Sequence, residues 1–128
     1  EYIKIFMKTI LLIEDDPFLV DIYKNKLEEF GYAVETAEDG GQALNIIKEK
    51  NPDLVLLDII LPNIDGWEIL KIIRNNPDTK NLKVIVLSNL GQREEVEKGV
   101  ELGATKYLIK AHFTPSEVAK EIDQLLKK

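Results

Sequence analysis

The chain contains no cysteine and only one histidine, His112. Disulfides and thiolate metal sites are therefore excluded, as is a zinc centre built on several histidines. With no cysteine framework, nothing argues for secretion. No apolar run approaches the roughly 20 residues that a membrane span needs. The opening residues, Glu1-Tyr2-Ile3-Lys4-Ile5-Phe6-Met7, lack a basic segment followed by a long apolar core, so no secretory signal is expected. Residues 1–7 read as an N-terminal extension or the start of the first strand, with Met7 a candidate natural start. Residues 8–128 read as one domain, and the default compartment is the cytoplasm. An excess of positive charge is also missing. The formal net charge is −6, which argues against a broad electrostatic footprint for nucleic acid. Apolar residues make up 45% of the 128, enough for a core that needs no covalent staples.

What the chain does have is a set of apolar runs that end in polar residues. Asp53-Leu54-Val55-Leu56-Leu57-Asp58 is a run of branched apolar residues that ends abruptly in a carboxylate. Such a run reads as a strand buried on both faces. Thr9-Ile10-Leu11-Leu12-Ile13 is a second run, and Glu14-Asp15-Asp16 closes it. Further strands are expected over 33–36, 83–87 and 105–109. Amphipathic segments over 17–30, 41–50, 66–75, 93–102 and 115–127 read as helices. Pro17 suits a first helical turn with Asp16 as its N-cap. Gly31 and Gly103 suit left-handed C-caps. Thr114 and Glu117 have capping-box spacing. The alternation is (βα)5, which predicts an α/β fold with a doubly wound, five-stranded parallel sheet.

In such a sheet the first, third and fourth strands are neighbours, and their tips share one edge. That edge would carry Glu14, Asp15 and Asp16 from the first strand, Asp58 from the third, Ser88 from the fourth and Lys110 from the fifth. Open α/β sheets place their chemistry just outside the carboxyl ends of the strands. Magnesium takes hard oxygen ligands and keeps several waters, so one or two carboxylates suffice to hold it. Asp15 and Asp58 are the natural direct ligands, with Glu14 acting through water. A carboxylate is also a competent nucleophile toward phosphorus. Lys110, Ser88 and Mg²⁺ would balance charge on the transferring group. Taken singly, each residue has a plainer explanation: Asp16 as a helix cap, Ser88 as a turn former, Lys110 as a surface charge. The case lies in their sharing one edge.

At this point the residues resemble a known family. The motifs are Ile10-Leu11-Leu12-Ile13-Glu14-Asp15-Asp16, Pro52-Asp53-Leu54-Val55-Leu56-Leu57-Asp58, Leu61-Pro62-Asn63-Ile64-Asp65-Gly66, Val84-Ile85-Val86-Leu87-Ser88 and Gly103-Ala104-Thr105-Lys106-Tyr107-Leu108-Ile109-Lys110. Together they resemble the receiver domain of two-component response regulators, most closely the stand-alone, chemotaxis-type regulators. The resemblance implies a flavodoxin-like sheet of strand order 2-1-3-4-5. It implies that Asp58 is the phosphoacceptor and that Glu14 and Asp15 are the acid pair, with Asp15 binding Mg²⁺ directly. It further implies that the backbone carbonyl of Ile60 contributes to the metal and that Lys110 is the family's lysine. Ser88 and Tyr107 would form the switch, Tyr107 lying exposed in one state and inward in the other. The partners implied are a sensor histidine kinase or phosphotransfer domain, docking beside the first helix near Phe18, Leu19 and Ile22, and a downstream protein target. Direct nucleic-acid contact and membrane insertion are not expected.

Three departures from the family pattern stand out. Ala111 follows Lys110 where the family usually has a proline joined by a cis bond. A cis bond before alanine costs about 3–4 kcal/mol, so a trans bond and a reshaped loop are expected, with His112 a loop residue near the rim. Asn89 stands where a small residue is common. Ile60 and Leu90 put apolar groups on both flanks of Asp58. Two other functions compete. A Mg²⁺-dependent phosphatase with an aspartate nucleophile usually has a second acid two residues on, where this chain has Ile60. A flavodoxin-like cofactor binder would need a Ser/Thr/Gly-rich phosphate loop after the first strand, where Glu14-Asp15-Asp16 would repel the phosphate. A signalling module rather than an enzyme is therefore expected.

Overall fold

The computed structural model describes residues 7–127. Five strands alternate with five helices: β1 (Thr9–Ile13), α1 (Pro17–Glu29), β2 (Ala33–Ala37), α2 (Gly40–Lys50), β3 (Leu54–Leu57), α3 (Gly66–Asn75), β4 (Lys83–Ser88), α4 (Arg93–Glu101), β5 (Lys106–Ile109) and α5 (Pro115–Leu126). A single 3-10 turn over Lys110–His112 joins β5 to α5. The strands form one parallel sheet in the order β2-β1-β3-β4-β5. This is the doubly wound, flavodoxin-like order. The expectation for residues 1–6 lies outside the described residues. Among the described residues, no helix is long and apolar enough to cross a membrane.

Strand alternation divides the core in two. Ile10, Leu12, Leu54, Leu56, Ile85 and Leu87 face one side, against Tyr23 and Leu27 of α1 and Val118 and Ile122 of α5. Leu11, Ile13, Val55, Leu57 and Val84 face the other, against Ala43 and Ile47 of α2 and Ile69, Leu70 and Ile73 of α3. The central strands are covered on both faces. That is why their sequences are unbroken apolar runs and do not alternate.

The helix boundaries follow from local chemistry. Asp16 caps α1 by accepting the Phe18 N–H at 2.9 Å, with Pro17 in the first turn. Thr114 and Glu117 exchange capping bonds of 2.8 and 3.1 Å at the start of α5. Gly31 and Gly103 follow α1 and α4 with φ of 96° and 101°, a backbone that glycine adopts without steric cost. The differences from expectation are small. Helix α2 begins at Gly40 because Asp39 serves as its cap, accepting the Gln42 N–H at 2.9 Å. Asp53 lies just outside β3. Ser88 is the last residue of β4, paired with Ile109, and does not begin the loop.

Candidate functional site

Backbone pairing carries the acids to the sheet edge. The Glu14 N–H donates to the Ala37 carbonyl at 3.0 Å, and the Asp58 N–H donates to the Ile13 carbonyl at 3.1 Å. Each strand thus keeps a ladder bond through its acidic residue, which fixes both main chains. Helix α3 starts hard against this turn. A Cβ on Gly66 would fall 2.5 Å from the Asp58 carbonyl oxygen and 2.6 Å from Ile59 Cα, both backbone atoms. Glycine is needed there for close approach.

Glu14 and Asp58 are buried, with 3% and 8% of their surface exposed, and Ser88 is fully buried. Asp15 remains exposed at the mouth. One carboxylate oxygen from each of Glu14, Asp15 and Asp58 lies within 4.8 Å of the other two. The Lys110 ammonium donates to Glu14 Oε1 at 2.7 Å and to Asp58 Oδ2 at 2.9 Å. Asp58 Oδ1 accepts the Ile59 N–H at 2.7 Å, and Glu14 Oε2 accepts the Asp16 N–H at 3.2 Å. All four carboxylate oxygens of Glu14 and Asp58 are therefore engaged. The charge is not balanced: three carboxylates face one ammonium.

Burial and the neighbouring charges together set the ionisation of Glu14 and Lys110. Burial pushes the Glu14 carboxyl above the usual glutamate range, and neighbouring Asp58 adds to the shift. The bonds from Lys110 and the Asp16 N–H oppose it without cancelling it. Burial acts to lower Lys110, but its bonds to Glu14 and Asp58 outweigh this, and its ammonium is held above the usual lysine range. Lys110 has two anionic partners, whereas Glu14 shares its one cation, so burial prevails at Glu14 and the ion pairs prevail at Lys110. The local excess of two negative charges suits a divalent cation, and the all-oxygen donor set suits a hard one.

Ser88 does not touch Asp58 through a hydrogen bond. Its Oγ accepts the Leu90 N–H at 3.2 Å. Leu90 in turn accepts the Tyr107 hydroxyl at its carbonyl, at 2.6 Å. The backbone of one residue, Leu90, therefore links the two residues expected to form a switch, through its N–H on one side and its carbonyl on the other. Tyr107 is half-buried, and burial, with Glu95 and Asp58 contributing, pushes its phenol up to about 12. Ile60 is exposed, and its carbonyl accepts no hydrogen bond from the described residues. All described peptide bonds are trans, including Lys110–Ala111. His112 and Asn89 are exposed and make no side-chain hydrogen bond among the described residues. On α1, Phe18 is 72% exposed, whereas Leu19 packs against the core and Ile22 is half-buried.

Sequence reasoning missed the peptide bridge through Leu90, because backbone groups carry no residue-type signal. It also missed Glu14 as a direct partner of Lys110. That pairing was accessible in principle, since a buried acid beside a lone lysine invites it.

Comparison with known proteins agrees with this geometry. A family model described as the response regulator receiver domain matches residues 10–123. The chain is 37% identical over 124 residues to the DNA-binding dual master transcriptional regulator RpaA of Synechocystis sp., covering 95% of this chain and 50% of that protein. It is 37% identical over 123 residues to the alkaline phosphatase synthesis transcriptional regulatory protein PhoP of Bacillus subtilis, covering 94% and 49%. The chain thus spans about half the length of these curated relatives. Among solved structures, a putative response regulator from Chloroflexus aurantiacus superposes with a TM-score of 0.88 at 33% identity, covering 95% of this chain and 99% of the other. Chemotaxis protein CheY4 of Vibrio cholerae superposes with a TM-score of 0.86 at 28% identity, covering 94% and 99%.

Proposed function

Since this chain belongs to the response regulator receiver domains of two-component signalling, we propose that Asp58 accepts a phosphoryl group from a sensor histidine kinase or its phosphotransfer domain in the cytoplasm. The observation that carries this reading is the convergence of buried Asp58 with Glu14, Asp15 and Lys110 at the carboxyl edge of the sheet. A carboxylate oxygen of Asp58 attacks phosphorus. The bond from phosphorus to the donor breaks, and the departing group leaves with that electron pair and takes a proton from solvent. Asp58 then carries the phosphoryl group as an acyl phosphate.

Glu14, Asp15, Asp58 and the backbone carbonyl of Ile60 would hold Mg²⁺, Glu14 acting through water. Bound there, the ion supplies counter-charge to the phosphoryl oxygens. Lys110 loses the charged carboxylate of Asp58 when that side chain becomes an acyl phosphate, keeps Glu14, and turns to a phosphoryl oxygen. Ser88, whose hydroxyl hydrogen has no acceptor among the described residues, donates to another. Both bonds exist only in the phosphorylated state, so that state is favoured. Tyr107, tied to Ser88 through Leu90, passes the change to the surface around α4 and β5, where a downstream protein reads it. The exposed Phe18 on α1, beside the acids, suits the contact with the phosphodonor protein. The relatives' names attach DNA binding and transcription to proteins about twice as long, so the output proposed for these residues is protein contact. Signalling is favoured over turnover because the position two residues past Asp58 holds Ile60, which cannot act as a general acid.

Incubation with a small phosphodonor and Mg²⁺, followed by intact mass, tests the reading beside Asp58→Asn. One phosphoryl group added to the wild type alone is expected. Comparable labelling of the variant would move the acceptor elsewhere, and rapid multiple turnover of a generic phosphomonoester would favour the phosphatase.

A further inference from the structure

Tyr107 lies in a site shaped to receive its ring. Gly99, buried in α4, faces it directly. A Cβ at position 99 would fall 2.5 Å from Tyr107 Cδ2, 2.8 Å from Cε2 and 3.6 Å from the Trp67 ring. Gly99 has ordinary helical backbone, so space and not conformation calls for glycine here. Glycine within a helix costs stability relative to alanine, and α4 is weakened by keeping this notch open. Trp67, in the first turn of α3, flanks the tyrosine ring and reaches the same notch. Its ring stacks on Tyr107 with centroids 6.4 Å apart and planes at 28°. The Lys98 ammonium stands 4.7 Å from the Trp67 ring centroid, a cation–π contact that holds the indole in place. At the tip of the tyrosine, the hydroxyl bonds to the Leu90 carbonyl, and the Leu90 N–H bonds to Ser88 Oγ.

We infer that Gly99 and Trp67 are positioning residues that form a seat for the Tyr107 ring, and that an occupied seat holds Ser88 ready to donate to the phosphoryl group. With Tyr107 seated, the two peptide units that meet at Leu90 are both held, one by its N–H and the next by its carbonyl. Ser88 then uses a lone pair on that N–H and keeps its hydrogen for an incoming oxygen. With Tyr107 expelled, the Leu90 carbonyl is released, the Leu90 backbone is free to turn about its Cα, and its N–H no longer orients Ser88. The wall between α3 and α4 thereby sets the readiness of the phosphoryl site without touching it. Coupling of this kind is reciprocal, so closing the seat must weaken binding of a phosphoryl mimic. The link to Ser88 rests on the proposed function, whereas the seat does not.

The test is a double-mutant cycle of Gly99→Ala and Tyr107→Ala, read by thermal unfolding and by calorimetric binding of beryllofluoride with Mg²⁺. With Tyr107 present, Gly99→Ala is expected to lower Tm and to weaken beryllofluoride by about fivefold or more, the low end of ordinary allosteric coupling. In the Tyr107→Ala background the same substitution is expected to raise Tm, as glycine to alanine in a helix should, and to leave the affinity unchanged. A rise in Tm in both backgrounds would overturn the seat. An unchanged affinity with Tyr107 present would overturn its link to Ser88. A wild type that binds no beryllofluoride would overturn the proposed function together with that link, and the Tm comparison would still decide the seat.

Discussion

Asp53 and Asp58 stand at the two ends of one strand, separated only by Leu54-Val55-Leu56-Leu57, and they live in different worlds. Asp53 is exposed. Its carboxylate accepts the Thr9 N–H at 2.7 Å, and its own N–H donates to the Thr9 carbonyl at 2.8 Å. Thr105 does the same at the start of β5, exchanging bonds of 2.9 and 2.7 Å with Val84. At the amino edge of the sheet, then, polar side chains complete the backbone ladder. At the carboxyl edge, Asp58 is buried and faces Glu14, Asp15 and Lys110, with more negative charge than positive. The lesson is that residue type decides little here. An acid that completes a strand ladder holds the fold together, while an acid that faces other acids stores electrostatic stress that a cation or a covalent modification relieves.

The largest effect should come from breaking the carboxyl edge at its one cation. Lys110→Met leaves Glu14 and Asp58 buried without counter-charge. Removing one partner of a buried pair is costly, and we expect a loss of roughly 3 kcal/mol in chemical unfolding. Mg²⁺ should recover more of that stability in Lys110→Met than it adds to the wild type, because the ammonium no longer competes for the same oxygens. Equal stabilisation of the two proteins by Mg²⁺ would mean that ion and lysine do not share a site.

Much of this contrast was legible in the sequence, though not in the pair of aspartates themselves. The segment from Asp53 to Asp58 is nearly symmetrical, and only the direction of a parallel strand tells the ends apart. That direction followed from the alternation of strands and helices, which gave the edge carrying Glu14, Asp58, Ser88 and Lys110. Helix starts at Asp16 and Thr114 and stops at Gly31 and Gly103 were readable because caps use few residue types. The seat of Tyr107 was not readable. Gly99 looks like any small residue in an amphipathic helix, and its value lies in an absent Cβ opposite a ring from another element. Trp67 and Lys98 meet across α3 and α4, and no spacing within either helix announces it.

A smaller effect is expected at the amino edge. Asp53→Ala removes the acceptor for the Thr9 N–H but leaves that group near water, so the cost should be about 1 kcal/mol. Phosphoryl incorporation at the proposed acceptor, Asp58, should be unchanged, because nothing at the Asp53 end of β3 touches it. A loss of labelling comparable to that in Asp58→Asn would erase the functional distinction between the two ends.

The smallest and most diagnostic effect concerns Glu14. Its carboxyl is held above the ordinary glutamate range, chiefly by burial. A folded-state value above the unfolded one means that the native state keeps the proton longer. Stability from this group is therefore fully present below the unfolded value and is lost as pH rises through the higher folded value, the reverse of a carboxylate stabilised by a salt bridge. Glu14→Gln removes that titration. Without Mg²⁺, the stability of the wild type relative to Glu14→Gln should fall as pH climbs from below the usual glutamate range through the raised value, then level off. With Mg²⁺ the fall should shrink or vanish, because the ion favours the charged carboxylate that burial disfavours. A difference between the two proteins that does not change with pH would show that Lys110 already compensates Glu14 in full.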